Sequence, residues 1–177
     1  MVAHPTIDGV LRIKSKYNKL KIQDILEIKL YVNRLVPILM GKKEPQTGLE
    51  SKFSTYHCAA VTLLDGMAGV EQFSDKRVLQ EDVVTLRKKV KLLVKENIRE
   101  DEAFVEVLLN NGTILKEHVD HAIGSIYNPM SDEDLQKKFS EVTKFILTKK
   151  NIHNITNLIY NLEKSQNIRE IITECTG

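Results

Sequence analysis

The side chains able to move a proton or hold an anion are few and scattered: His4, Asp8, Lys52, the adjacent His57 and Cys58, and the close pair His118 and His121. His4 stands just before Pro5, where a helix is expected to begin. The positive end of a helix dipole disfavours an imidazolium there, and a neutral imidazole is what a general base requires. A histidine this near the start of a chain is also, ordinarily, an exposed residue with no role. Lys52, in the run GLESKFS, could hold a carboxylate or be a solvated lysine at a helix start. Asp8, one helical turn beyond His4, reads as a helix-start charge rather than a catalytic acid.

The remaining candidates lead away from chemistry. His57 and Cys58 are neighbours in a helical pattern, so their side chains diverge by roughly 100° and make no nucleophile pair. If His118 and His121 share one strand, their odd separation sends them to opposite faces. A zinc site would need further ligands, neither cysteine has metal-ligand spacing, and no metal or cofactor is expected. Gly66 and Gly69 follow a helix instead of opening one, so they build no phosphate cradle.

Composition narrows the classes further. The 177 residues suit one domain, residues 1–177, since domains of this size bury roughly 70% of the surface their unfolded chains expose. Net charge is +2 with 28% charged residues, a mixed surface without a strong field for nucleic acid. The basic cluster Arg87, Lys88, Lys89, Lys91 and Lys95 has no aromatic side chain on which a base could stack, and reads as a solvated helix face running into a strand. Two distant cysteines give no disulfide framework. No apolar run is long enough to span a bilayer and no signal-peptide core is evident, so a cytoplasmic protein without membrane partners is expected.

The elements that must position these residues follow from periodicity and breakers. Pro5 to Tyr17 reads as an amphipathic helix with Ile7, Val10 and Leu11 on one face. Ile25 to Val32 alternates as a strand, with Leu26, Ile28, Leu30 and Val32 facing one side. Val36 to Leu49 is dense in proline and glycine and reads as an irregular connection. Phe53 to Met67 is a buried helix ended by Gly66, and Asp82 to Val90 is a second helix leading into a strand at Lys91 to Val94. Asn110-Asn111-Gly112-Thr113 between two β-rich runs, Phe104 to Leu109 and Ile114 to Val119, predicts a hairpin. Ser131 and Asp134 approximate a capping box for a helix whose apolar stripe is Leu135, Phe139, Val142 and Ile146. Shorter helices about Ile152 to Leu162 and Ile168 to Cys175 follow. Together these predict an α+β fold: a two-layer sandwich, its mostly antiparallel sheet covered by helices on one face.

Three stretches carry a resemblance: His4-Pro5-Thr6-Ile7-Asp8, the run PQTGLESKFSTYHCAAVTLLDGMAGVEQFSD from Pro45 to Asp75, and Asn128-Pro129-Met130-Ser131 followed by Asp134-Leu135 and Lys138-Phe139. In this order they resemble the MmgE/PrpD family, which contains 2-methylcitrate dehydratase, cis-aconitate decarboxylase and iminodisuccinate epimerase. The resemblance implies the smaller C-terminal α+β domain of such an enzyme, with the large helical N-terminal domain absent. It places His4 at the cleft between the two domains and sets a lysine shortly before the HPxID motif, upstream of Met1. Some family members carry an aromatic residue where His57 stands, so no role passes to it.

The implied chemistry is metal-free and acts on small di- or tricarboxylates, most simply as a 2-methylcitrate dehydratase-like lyase or an epimerase. The expected partners are a small polycarboxylate substrate together with the missing helical domain, and a second copy in a homodimer. The chain alone is then expected to be inactive. The alternative is a non-catalytic, truncated or stand-alone interaction domain.

Overall fold

Pro5 has no amide hydrogen to leave unpaired, and its φ is already fixed for a helix, so it suits a first helical turn. The helix α1 spans His4–Lys16, with Ala3 at its N-cap. The computed structural model describes residues 2–164 and 167–176, and the chain divides into two compact units, up to Pro129 and from Met130 onward.

The first unit is built on the strands β1 (Ile25–Val32), β2 (Val90–Val94), β3 (Ala103–Leu109) and β4 (Ile114–Val119), in the spatial order β2-β1-β3-β4. The pairs β1/β3 and β3/β4 are antiparallel, while β1/β2 is parallel. A parallel pair needs a long crossover. Here the crossover is α2 (Leu35–Met40), α3 (Gly48–Ser51), α4 (Thr55–Asp65), α5 (Asp75–Val78) and α6 (Glu81–Arg87). Helices α1 and α4 pack against each other and against the sheet, giving the expected two-layer α+β sandwich.

Between the layers, Ile28, Leu30, Val32, Val105, Val107 and Leu115 from the sheet meet Val10, Ile13, Ala59, Ala60 and Leu63 from the helices. Full burial of a large aliphatic side chain contributes about 1.5–3 kcal/mol. An exposed ion pair contributes about 0–1 kcal/mol. The interlayer core therefore outweighs the charged ladder on the sheet's other face, where Glu27 pairs with Lys29 and Lys91, and Glu106 with Lys116.

Several elements depart from the sequence expectation for identifiable reasons. The irregular connection contains α2 because Pro37 falls in its first turn, where the missing N–H has no intrahelical partner to lose. In β1 a register shift between Ile25 and Glu27 reverses the alternation, so Ile25 is buried and Leu26 is 55% exposed. The inner face of α1 runs through Thr6, Gly9, Val10 and Ile13. Gly9 belongs to it because a Cβ there would lie 2.6 Å from Val105 Cγ2, a close approach that hydrophobic periodicity does not register. Helix α6 ends at Arg87 and β2 begins at Val90, earlier than predicted. In the hairpin only Gly112 takes a positive φ (83°), while the Asn111 side chain accepts a hydrogen bond from Thr113 N at 3.0 Å. A four-residue loop with glycine in the left-handed region replaces the two-residue turn that needs two positive φ values.

The second unit contains α7 (Asp132–Thr143), α8 (Lys149–Tyr160) and α9 (Arg169–Thr176). The capping box forms: Ser131 Oγ accepts from Asp134 N at 3.1 Å, and Asp134 Oδ2 accepts from Ser131 N at 3.2 Å. The predicted stripe of α7 stays largely at the surface, with Leu135 and Val142 nearly half exposed and Ile146, beyond the helix, 84% exposed. Among the described residues of this unit, Ile152 and Ile155 of α8 are the buried side chains.

Candidate functional site

Helix α4 owes its placement to its ends. Ser54 Oγ accepts from His57 N at 3.0 Å and caps the start, while Gly66, at φ 76°, closes the end by donating its N–H to Thr62 O at 2.8 Å. Lys14 of α1 donates to Leu63 O at 2.7 Å and to Leu64 O. The C-terminal ends of α1 and α4 therefore meet, and the two helices run in the same sense. Along β4, Lys16 pairs with Glu117, Arg12 donates to His118 O at 3.1 Å, and Asp8 Oδ2 accepts from Ile123 N at 2.7 Å, so α1 is antiparallel to β4.

One end of the domain thus collects the starts of α1 and α4, the C-terminal ends of β1, β2 and β4, and the loops following β2 and β4. His4 is exposed at this end as the first residue of α1. Lys52 is exposed at the same end, just after α3 and ahead of α4. Asp8 anchors the loop after β4 through its bond to Ile123 N, and burial raises its carboxyl pKa against the lowering effect of that hydrogen bond.

The same end carries a charged cluster whose members are spread along the sequence. Arg99 donates to Asp120 O at 2.7 Å and to the Asp120 carboxylate, and lies 3.4 Å from Glu102 and 3.6 Å from Asp101. His118 Nε2 is 2.9 Å from Glu102 Oε1, and the ring stacks on Phe104 with centroids 3.9 Å apart. His121 Nδ1 is 2.5 Å from Asp101 Oδ2. His118 and His121 therefore engage different carboxylates. Asp101 is held below the usual carboxylate range by its bond to His121, and Asp120 by its bond to Arg99. Glu102, His118 and Asp120 each bring a possible ligand atom within 4.8 Å of the others. The Arg99 guanidinium already supplies positive charge to that set. Periodicity alone does not assemble this cluster. Counting outward from the Asn-Gly turn, however, places His118 opposite Phe104 and His121 opposite Asp101, so the hairpin register holds the signal.

His57 and Cys58 belong to the core. Burial pushes the Cys58 thiol up to about 12, which leaves no thiolate near neutral pH. His57 Nε2–H donates to Gln72 O at 2.8 Å, Nδ1 has no partner among the described residues, and Phe73 meets the ring edge-on at 5.4 Å. Burial is the main cause holding its pKa below the ordinary value, opposed by the Gln72 bond. The folded chain keeps His57 neutral, whereas the unfolded chain takes up a proton near pH 6.5, roughly the ordinary histidine value. Stability should therefore be unaffected above that pH and fall as the pH drops through it towards the lower folded pKa. A His57→Gln variant, titrated with urea at pH values from about 7 to 5, should lose part of that acid sensitivity; an unchanged slope would assign it to other groups.

The first unit is a two-layer α+β sandwich that presents an exposed, helix-borne histidine at one end. The family profile of the MmgE/PrpD C-terminal domain matches residues 1–164, and the chain belongs to the MmgE/PrpD family as its C-terminal domain. Two relatives are cis-aconitate decarboxylases. The Mus musculus protein is 28% identical over 123 residues, covering 67% of this chain and 25% of that protein. The Homo sapiens protein is 27% identical over 153 residues, covering 83% of this chain and 30% of that protein. The chain spans less than a third of the length of these relatives. Among the described residues, no helix is long and apolar enough to cross a membrane.

Proposed function

We propose that these residues form the smaller half of an MmgE/PrpD-type enzyme acting on small di- or tricarboxylates. In this reading His4 moves the proton next to a substrate carboxylate and Lys52 holds a carboxylate group, both at the rim that faces the helical domain. The observation that carries the reading is the exposure of His4 in its HPTID motif at the start of α1, on the same end as Lys52. A base removes the proton, negative charge grows on the substrate, and the intermediate expels the hydroxyl group, as in dehydration of 2-methylcitrate. Cationic and hydrogen-bonding groups must stabilise that charge, and the helical domain supplies the rest of them.

A second reading, decarboxylation of cis-aconitate, is favoured by the names of both relatives. Supplying the chain in trans with the helical N-terminal domain of a family member separates the two. Rising ultraviolet absorbance with 2-methylcitrate marks dehydration, and carbon dioxide release from cis-aconitate marks decarboxylation. The 177 residues alone should give neither. Turnover by the isolated chain would overturn the division of the machinery between two halves, and silence of the reconstituted pair towards every polycarboxylate would overturn the reading.

A further inference from the structure

Arg87 is only 5% exposed, yet among the described residues it makes one hydrogen bond, a long one of 3.3 Å from Nη1 to Val78 O, and no ion pair. This is an unusual state for a guanidinium. An arginine carries several N–H donors in a planar fork, and a buried charge without a counter-charge is strongly disfavoured. Two other half-buried cations of the helix layer show the contrast: Arg77 holds Asp65 and Asp82, and Lys14 caps α4.

Arg87 lines a cavity of about 590 Å³ at the β2 edge of the sheet, across the sheet from the α1 and β4 side where His4 stands. Its walls are of two kinds. Tyr56, Leu79, Val84 and Leu92 give an apolar surface, and Lys43 and Lys88 add positive charge to that of Arg87. Lys91 also lines it but is paired with Glu27. Among the described residues the one acidic group on the wall is the exposed Glu44, whose charge favours the protonated guanidinium although burial opposes it; it forms no ion pair with Arg87. The volume falls in the range of small-molecule pockets.

We propose that this cavity binds a small organic oxyanion, a carboxylate or phosphate group on a compact apolar body, with Arg87 as the bidentate anchor. The planar fork of arginine matches such a group in a way that lysine does not. Glu44 repels the ligand and limits its affinity. The assignment does not rest on the proposed reaction, because it uses neither His4 nor Lys52.

The test is a titration of the full chain, carrying ¹⁵N-labelled arginine, with inorganic phosphate, phenyl phosphate and citrate, followed at the Arg87 Nε–H resonance. Saturable shifts are expected, with phenyl phosphate or citrate binding more tightly than inorganic phosphate because only they use the apolar wall. Arg87→Met, which keeps the apolar stem, should weaken binding by about tenfold or more, the loss expected for charge-assisted hydrogen bonds. Glu44→Gln, a surface change that leaves the core untouched, should tighten binding severalfold. If Arg87→Met fails to fold, the Glu44→Gln result decides. Absence of saturable binding by all three probes, or binding that both substitutions leave unchanged, would overturn the proposal.

Discussion

Replacing His4 by asparagine should lower kcat of the reconstituted two-domain enzyme by about 10²- to 10⁴-fold, the range lost when a positioned acid or base is removed. The fold should tolerate the change. His4 is exposed, asparagine is well accepted at helix starts, and surface substitutions of this kind usually alter stability by no more than about 0.5 kcal/mol. A thermal melt of the variant checks that the loss is chemical. Lys52→Gln should behave differently: a group that holds a carboxylate equally in substrate and transition state shows mainly as a raised KM. Steady-state kinetics on 2-methylcitrate and cis-aconitate, with both variants side by side, separate the roles. A His4→Asn enzyme within tenfold of the parent would remove His4 from the proton transfer.

The features legible in the sequence were those written in local periodicity and turn chemistry. The hairpin follows from Asn111-Gly112 between β-rich runs, the capping box from Ser131 and Asp134, and the end of α4 from Gly66. What escaped depends on contacts between distant residues or on a one-residue change of phase. The shift after Ile25 exposes Leu26, and no composition rule signals it. The inner face of α1 is set by how closely Gly9 approaches Val105, a property of two elements that the sequence keeps far apart. The candidate site divides in the same way. His4 and Lys52 could be singled out from their motifs, but their meeting at one end requires knowing that α1 and α4 run in the same sense, which Lys14 and Leu63 reveal only in three dimensions. Arg87 reads in sequence as one more residue of a basic run. Its burial follows from facing inward at the last turn of α6, next to the solvated Lys88.

A Gly48→Ala substitution should destabilise the chain by about 1–3 kcal/mol, as overpacking a tight contact does, and lower Tm by roughly 2–10 °C for a chain of this size. The added Cβ would lie 2.2 Å from Phe73 O and 3.2 Å from Asp75 N, both backbone atoms that no rotamer change can move aside. Gly48 N also donates to Asp75 Oδ1 at 2.5 Å, so the clash and the hydrogen bond act on the same junction. That junction is part of a closed set. Thr47 Oγ1 accepts from Glu50 N at 3.1 Å, Ser51 Oγ donates to Gly48 O at 2.6 Å, and His57 holds Gln72 on the far side. Together these bonds fold the stretch from Pro45 to Asp75 back on itself, which gives a physical reason for its particular order of turn, helix and glycine. Because Lys52 sits at the end of α3, pushing α3 away from Phe73 should also displace it, and the variant's KM should rise along with its loss of stability. Gly112→Asn provides the contrast: nothing lies within 4 Å of the added Cβ, and asparagine tolerates the left-handed φ of 83° better than other side chains. Urea midpoints of the two variants should differ clearly, and equal midpoints would mean that the α3 junction yields without resistance.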